Sequence, residues 1–256
     1  MRKKIVAGNW KMFKTNSEAV RLVQSLRTRV EKSPVKKNTV IVCPPYTALE
    51  KVSGILQGSR IQVGAQNLFW EEEGAYTGEI SAKMIKSTGV KWVIIGHSER
   101  RRYFKEDENL IHRKIQIALK NKLKVIFCVG ETLEEREENL TKDIVGNQVE
   151  WGLKDFTHQQ LNQVVIAYEP VWAIGTGKTA TPEQAQEVHA FIRDILNALF
   201  DDTVGRNMTI LYGGSVKPQN AEGLFQQPDI DGGLIGGACL KADSFHRIIK
   251  AAEKVY

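Results

Sequence analysis

The sequence has few cysteines and no long apolar run. Its three cysteines, Cys43, Cys128 and Cys239, lie far apart and form no Cys-x-x-Cys motif, which argues against a disulfide framework and a zinc site. No apolar stretch approaches the roughly 20 residues that a membrane-spanning helix needs. The charged N-terminus is not followed by the apolar region of a signal peptide. We therefore expect a cytoplasmic protein that is not inserted in a membrane.

The sequence also has little excess charge of either sign. It contains 36 lysines and arginines and 30 aspartates and glutamates, which gives a formal net charge of +6 over 256 residues. Basic and acidic residues are interleaved, as in the segment 134–138, and no long basic block with interspersed aromatic residues occurs. This distribution argues against nucleic-acid binding and is compatible with the attraction of small anions.

Linkers rich in proline, glycine or serine are missing, so residues 1–256 are expected to form one domain. Short apolar runs rich in β-branched residues alternate with longer segments of helical period, which is typical of parallel βα units. The predicted strands are 5–9, 39–43, 61–65, 92–96, 124–129, 164–168, 209–212 and 233–235. The predicted helices are 17–30, 48–56, 81–87, 107–121, 141–152, 182–200, 219–225 and 244–255. Eight uninterrupted units favour an α/β fold closed as a (β/α)8 barrel, with an open doubly wound sheet as the alternative.

Polar residues follow three of the predicted strands. Asn9 and Lys11 follow the first strand, His97 follows the fourth and Glu169 follows the sixth. In a barrel of this kind the residues after the C-terminal strand ends meet at one rim, where catalytic side chains lie. We therefore expect an amide, an ammonium, an imidazole and a carboxylate to converge there.

Each of these residues also has a purely structural explanation. Partial desolvation at the end of an apolar strand would raise the basicity of Glu169, yet a glutamate there is often solvated or salt-bridged. His97 precedes a short helix whose N-terminus disfavours a charged ring, but it could belong to a cluster with Glu99 and Arg100 instead. Lys11 could reach an anion or simply cover the surface.

Glycine pairs follow the last two predicted strands, and they predict a phosphate site. Gly213 and Gly214 precede Ser215, and Gly236 and Gly237 occupy the matching place on the next strand. Without a Cβ, successive backbone N–H groups can face a phosphate, which barrels commonly bind after strands seven and eight. Either pair alone could be only a tight turn.

The segment 173–180 offers two competing cofactor motifs, and neither fits. Its Gly-Lys-Thr sequence resembles the end of a nucleotide-binding P-loop, but Trp172 stands where that motif requires glycine. A loose dinucleotide fingerprint lies six residues from its strand, and the next strand is not followed by an acidic residue. We interpret the stretch from Pro170 to Thr179 as a lid, stiff at its beginning and flexible at its glycines.

Four motifs in this order resemble the triosephosphate isomerase family. They are Asn9-Trp10-Lys11, the run from Gly96 to Arg101, the run from Ala167 to Gly177, and the run from Tyr212 to Ser215. The match spans the whole chain, and the departures at Phe13 and Cys239 touch no catalytic position of the family. The resemblance implies a TIM barrel that interconverts dihydroxyacetone phosphate and D-glyceraldehyde 3-phosphate through an enediolate, in glycolysis and gluconeogenesis, without metal or organic cofactor.

The resemblance also implies roles for the residues at the rim. Glu169 would be the base that moves the carbon-bound proton, and neutral His97 would polarise the carbonyl with help from Asn9. Lys11 would stabilise developing negative charge, and Glu99 would support the site from just behind it. The residues implied to bind substrate are Asn9, Lys11, Gly175, Ser215, Gly236 and Gly237.

A homodimer is expected as the smallest active unit. In the family the third loop, here from Gln66 to Thr77, enters the neighbouring subunit and brings Thr77 beside the catalytic residues there. The apolar stretch 67–70 of this loop is expected to be too exposed for a monomer.

Two further readings stay open at this point. Another phosphate-binding barrel isomerase or aldolase would show different residues at its strand ends, such as a Schiff-base lysine or two aspartates. A non-catalytic relative would have lost Glu169, His97 or Lys11, and all three are present.

Overall fold

Parallel strands close on themselves in a computed structural model that describes residues 2–33, 37–174 and 179–255. Each strand pairs with its neighbour in chain order, and the last pairs with the first. The strands are β1 Lys4–Asn9, β2 Asn38–Cys43, β3 Ile61–Ala65, β4 Trp92–Ile95, β5 Lys124–Val129, β6 Val164–Tyr168, β7 Ile210–Tyr212 and β8 Gly232–Ile235. The predicted (β/α)8 TIM barrel is confirmed, and every predicted strand lies within about one residue of its observed bounds.

Helices surround the barrel. They are α1 Asn16–Glu31, α2 Tyr46–Leu56, α3 Ala82–Ser87, α4 Ser98–Phe104, α5 Glu108–Lys120, α6 Leu133–Glu137, α7 Thr141–Leu153, α8 His158–Leu161, α9 Pro182–Leu199, α10 Asp202–Asn207, α11 Ala221–Phe225 and α12 Ala242–Val255. Short 3-10 turns occupy Val171–Ala173 and Gly237–Leu240. The eight predicted helices are all found within about two residues. The short helix expected after His97 is α4, for which no bounds were predicted, and α6, α8 and α10 were not predicted. None of the described helices is long and apolar enough to cross a membrane.

Two apolar layers hold the barrel together. One fills the barrel interior with alternate residues of the strands, among them Ile5, Trp92 and Ile126. The other lies between the outer faces of the strands and the helices. Because both faces are covered, the strands read as continuous apolar runs. Cys43 and Cys128 are free cysteines in the interior layer.

Closure of the barrel depends on a glycine between β8 and β1. Gly232 has a φ of +132°, and a Cβ at this position would lie 1.9 Å from the carbonyl oxygen of Ile5. No side chain fits at position 232 without moving the backbone of β1, so the pairing of Ile5 with the first residue of β8 requires glycine there.

Candidate active site

The C-terminal ends of the strands open into a cavity of about 590 Å³. Most of the predicted site residues line it, although they lie far apart in the sequence. Those lining it are Asn9, Lys11, His97, Glu99, Glu169, Ser215, Gly236 and Gly237. The predicted phosphate ligand Gly175 lies outside the described residues, and so do residues 176–178 of the predicted lid.

A buried carboxylate and a buried imidazole are in direct contact at the floor of this cavity. Oε1 of Glu169 lies 2.9 Å from Nε2 of His97, and the two side chains are 3% and 6% exposed. The backbone N–H of Ser98 donates to the other oxygen of Glu169 at 2.9 Å. The end of β6 and the start of α4 thus hold the carboxylate between two donors.

The hydrogen bonds of His97 define its protonation. The backbone N–H of Glu99 donates to Nδ1 of His97 at 3.2 Å, so Nδ1 carries a lone pair. The ring proton then lies on Nε2, which faces Glu169. His97 caps α4, where the partial positive charge of the helix N-terminus favours a neutral ring. This geometry agrees with the neutral imidazole expected at this position.

Burial and neighbouring donors act on the pKa of Glu169 in opposite directions. Burial raises the pKa of the Glu169 carboxyl, but the His97 ring, the Ser98 N–H and the Lys11 ammonium outweigh burial, and the pKa is lower than its ordinary value. The expectation of raised basicity considered desolvation and did not include these donors. A ligand that draws the carboxylate away from Ser98 would remove one of them and raise its pKa.

Lys11 is held in a strained backbone conformation. Its φ is +51°, in the left-handed region that side chains other than glycine rarely adopt, at a cost of about 1–3 kcal/mol. Its N–H donates to Oδ1 of Asn9 at 3.0 Å. The side-chain amide of Gln66 donates to the carbonyl of Lys11 at 2.9 Å and to that of Cys43 at 2.8 Å. These bonds fix the loop that aims the ammonium into the cavity.

Glu99 lies beside Lys11 in the cavity wall. One of its oxygens is 2.7 Å from the Lys11 ammonium, and its side chain is 42% exposed. The other oxygen lies 3.6 Å from Nδ1 of His97. Glu99 therefore contacts both Lys11 and His97, and its supporting role stays a prediction.

The two glycine pairs have different structural causes. A Cβ at Gly213 would lie 2.8 Å from Cγ of Glu169, and one at Gly214 would lie 2.3 Å from the hydroxyl oxygen of Tyr212. A Cβ at Gly236 would be 3.7 Å from the nearest atom, and at Gly237 it would meet no described atom within 4 Å. The first pair is thus explained by close packing against Glu169 and Tyr212, whereas the second pair has space around it.

The chain is similar over its whole length to proteins of one family. A family model described as triosephosphate isomerase matches residues 4–252. A triosephosphate isomerase of Chloroherpeton thalassium is 54% identical over 254 residues, covering 99% of this chain and all of the relative. Those of Endomicrobium trichonymphae and Carboxydothermus hydrogenoformans are each 53% identical, covering 99% and 98% of this chain and all of each relative. This chain belongs to the triosephosphate isomerase family.

One further carboxylate of the site was not predicted. Glu131 is fully buried beyond the end of β5, and it accepts hydrogen bonds from the Tyr168 hydroxyl at 3.0 Å and the Trp172 indole at 2.9 Å. Arg136 lies 3.1 Å from the same oxygen. These contacts anchor the start of the predicted lid to the barrel. Glu131 closely follows a strand, so the reasoning that identified Glu169 could have found it.

The apolar stretch 67–70 of the third loop was expected to be exposed, and it is not. Leu68 and Phe69 are buried within the subunit, and the Lys114 ammonium donates to the Asn67 side chain at 2.8 Å. The stretch 67–70 is therefore not too exposed for a monomer. Large apolar side chains are exposed elsewhere at the same rim, in the segments that follow β1 to β4. They are Met12, Phe13, Tyr46, Tyr76, Met84, Tyr103 and Phe104.

Proposed function

We propose that this chain is a triosephosphate isomerase that interconverts dihydroxyacetone phosphate and D-glyceraldehyde 3-phosphate in glycolysis and gluconeogenesis. The observation that carries the proposal is the contact between buried Glu169 and neutral His97 in a cavity that also holds the Lys11 ammonium. Membership of the family supports the same substrate pair. The rival aldolase chemistry would need a different set of residues at the strand ends.

The proposed reaction moves one proton between adjacent carbons. Glu169 takes the proton from C1 of dihydroxyacetone phosphate, and the C–H electrons form the C1–C2 double bond while the carbonyl π electrons move to the oxygen on C2. Nε2–H of His97 and the Asn9 amide donate to that oxygen, and the Lys11 ammonium stabilises its negative charge. His97 then gives its Nε2 proton to the oxygen on C2 and takes the hydroxyl proton from the oxygen on C1. As Glu169 returns its proton to C2, the C1–C2 π electrons form the C2–H bond and the electrons on the C1 oxygen form the aldehyde carbonyl. Every group in this scheme belongs to the chain, so neither metal nor organic cofactor is required.

The substrate phosphate would bind on the opposite wall of the cavity. Gly236 and Gly237 are open to the cavity, and Ser215 lines it beside them. Their backbone N–H groups would bind the phosphate together with Gly175 and the ammonium of Lys11. Binding energy at the phosphate would hold C1 of the substrate against Glu169.

The substitution Glu169→Gln tests the role of base. Glutamine keeps the size of the side chain and accepts the Ser98 hydrogen bond, but it cannot take a proton at neutral pH. We expect kcat in a coupled assay with glyceraldehyde 3-phosphate to fall by at least about a thousandfold, while Glu169→Asp retains weak activity. Glu150→Gln, an exposed glutamate on α7, is the matched control. Retention by Glu169→Gln of more than about a tenth of the rate, a loss under about 1.4 kcal/mol, would exclude this role.

A homodimer is proposed as the active unit. The exposed apolar side chains after β1 to β4 form one side of the rim, and a second copy covering them would shield them from water. A fully active monomer in sedimentation at assay concentrations would disprove the dimer.

We further propose a cytoplasmic location and one domain over residues 1–256.

The stretch from Pro170 to Thr179 is proposed to act as a lid that protects the enediolate. A phosphate-bearing enediolate can eliminate phosphate, and a closed lid would hold it where elimination is disfavoured. Shortening the chain across 174–178 is expected to lower isomerisation and to raise methylglyoxal plus inorganic phosphate released per turnover. A ratio that does not rise while isomerisation falls would leave only a positioning role.

A further inference from the structure

The N-terminal end of the barrel carries a second cavity of about 330 Å³. Lys124, the first residue of β5, and Lys3, just before β1, both line it, and Trp92 and Val165 from the barrel interior form its apolar floor. The strands run in parallel from this end toward the catalytic cavity. The two cavities therefore lie at opposite ends of the barrel.

The ammonium groups of this cavity lack carboxylate partners. In the part of the chain that the structure describes, neither Lys3 nor Lys124 has a carboxylate within 4 Å, whereas the adjacent Lys4 lies 2.8 Å from Asp231. The Lys124 ammonium lies 5.1 Å from the centre of the Trp92 ring instead. Burial lowers the pKa of Lys124, and the positive charges of Lys3 and Lys91 lower it further. The cavity thus concentrates positive charge that its own side chains do not neutralise.

The remaining polar groups of the cavity suit an anion. None of the described residues that line it is an aspartate or a glutamate. His158 lines the outer wall, and Asp201 lies 3.6 Å from it, so this histidine has its own counter-charge. Neutral hydrogen-bond donors complete the wall, and they are Asn162, Gln163, Thr203, Asn207 and Thr209.

We propose that this cavity binds a tetrahedral oxyanion of the phosphate type, free or as the end group of a small metabolite, between Lys3 and Lys124. The anion would replace repulsion between the ammonium groups by attraction, and the apolar floor would strengthen the attraction because it excludes water. The cavity has room for more than the ion alone, so an ester group or ordered water would accompany it. An anion that binds only the folded chain would stabilise it.

The indole N–H of Trp92 provides a local signal for the test, because it lies at this end of the barrel and donates to Gln62 at 2.7 Å. Inorganic phosphate is titrated into protein labelled with ¹⁵N-tryptophan, with chloride at matched ionic strength as the blank. We expect a saturable shift of the Trp92 signal that chloride does not reproduce. Phosphate bound in the catalytic cavity, at the opposite end, would not account for a change caused by replacing Lys124.

The variants decide the assignment. Lys124→Met is expected to weaken the phosphate response of Trp92 about tenfold or more, and Lys3→Met serves as a second variant if the first does not fold. Lys154→Met is the matched control, because it removes an equal charge whose ammonium lies 3.7 Å from the exposed ring of Trp151. A shift that does not saturate, or that persists unchanged in both cavity variants, would overturn the proposal.

Thermal unfolding provides a second readout of anion binding. At low ionic strength without phosphate, Lys124→Met is expected to melt higher than the parent protein, because repulsion is relieved, and to gain less from added phosphate. A lower melting temperature, together with an undiminished rise of the melting temperature on adding phosphate, would contradict the proposal.

A comparison of ligands at the Trp92 signal identifies the source of the anion. Tighter binding of ribose 5-phosphate than of inorganic phosphate would support a metabolite end group, and equal binding would support the free ion.

Discussion

His189 is expected to make folding sensitive to acid. It lies on α9, fully buried, with the Tyr168 ring 5.8 Å away and the Tyr212 ring 6.3 Å away. Its Nδ1 is 3.3 Å from the carbonyl oxygen of Asp229, which can only accept, so Nδ1 carries the proton. Its Nε2 has no hydrogen-bond partner among the described residues. The buried ring is therefore neutral.

The magnitude follows from the two protonation equilibria. Burial lowers the pKa of His189 from 6.5 to about 4, although the Asp229 carbonyl and the Asp231 carboxylate act in the opposite direction. As pH falls, the unfolded chain binds the proton first. The stability that the neutral ring contributes is fully present above pH 6.5 and is lost as pH falls through about 4. The difference of about 2.5 between the two pKa values corresponds to about 3 kcal/mol in total.

Urea unfolding of the parent protein and of His189→Asn tests this value. The asparagine amide can still donate to the Asp229 carbonyl, but it does not titrate in this range. Between pH 7 and pH 4.5 the parent protein is expected to lose about 2.5 kcal/mol more than the variant. Protomer concentration must be equal in all samples, because association would change the apparent stability. If both proteins lose the same free energy over this interval, His189 is not the buried proton acceptor described here.

Three further substitutions test single contacts. Gly213→Ala would bring a methyl group to 2.8 Å from Cγ of Glu169, so kcat is expected to fall about tenfold or more with a smaller change in KM; an unchanged kcat would show that the carboxylate has room to move. Gln66→Leu removes both hydrogen bonds that fix the backbone around Lys11, and about a tenfold loss of kcat/KM is expected in steady-state kinetics. Kinetics equal to those of the parent protein would show that the backbone of Lys11 keeps its conformation without Gln66. Gly232→Ala forces a Cβ to 1.9 Å from a backbone oxygen at a φ of +132°, and urea unfolding should show a loss above about 4 kcal/mol; a loss under about 1 kcal/mol would mean that β1 and β8 can separate at little cost.

The strands were predictable because their signal is local. Each is a short apolar run between polar or glycine residues, because both of its faces are buried. The short helices α6 and α8 lack that signal, because five and four residues are too few for an amphipathic period. Their N-termini were still recognisable, since both begin with capping boxes, Thr132 with Glu135 and Thr157 with Gln160.

The position of a catalytic group was easier to predict than its chemistry. The strand-end rule located Asn9, His97 and Glu169, because topology alone brings C-terminal strand ends to one rim. The pKa of Glu169 also depends on donors from other elements of the barrel, which the local sequence around Glu169 does not show. Gln66 was missed as a support of Lys11 because a separation of 55 positions leaves no pattern in the sequence.

The sequence predicts where the two glycine pairs lie, but phosphate binding alone does not explain why both are glycine. Gly213-Gly214 and Gly236-Gly237 look alike in sequence, and both line the catalytic cavity. A missing side chain satisfies two different demands, close packing of protein and close approach of a ligand, and sequence does not separate them. The neighbouring atoms in the structure distinguish the two causes. The first pair packs against Glu169 and Tyr212, and the second pair borders open space. Alanine at Gly237 should therefore fold normally and weaken phosphate binding, whereas alanine at Gly213 should disturb the base itself.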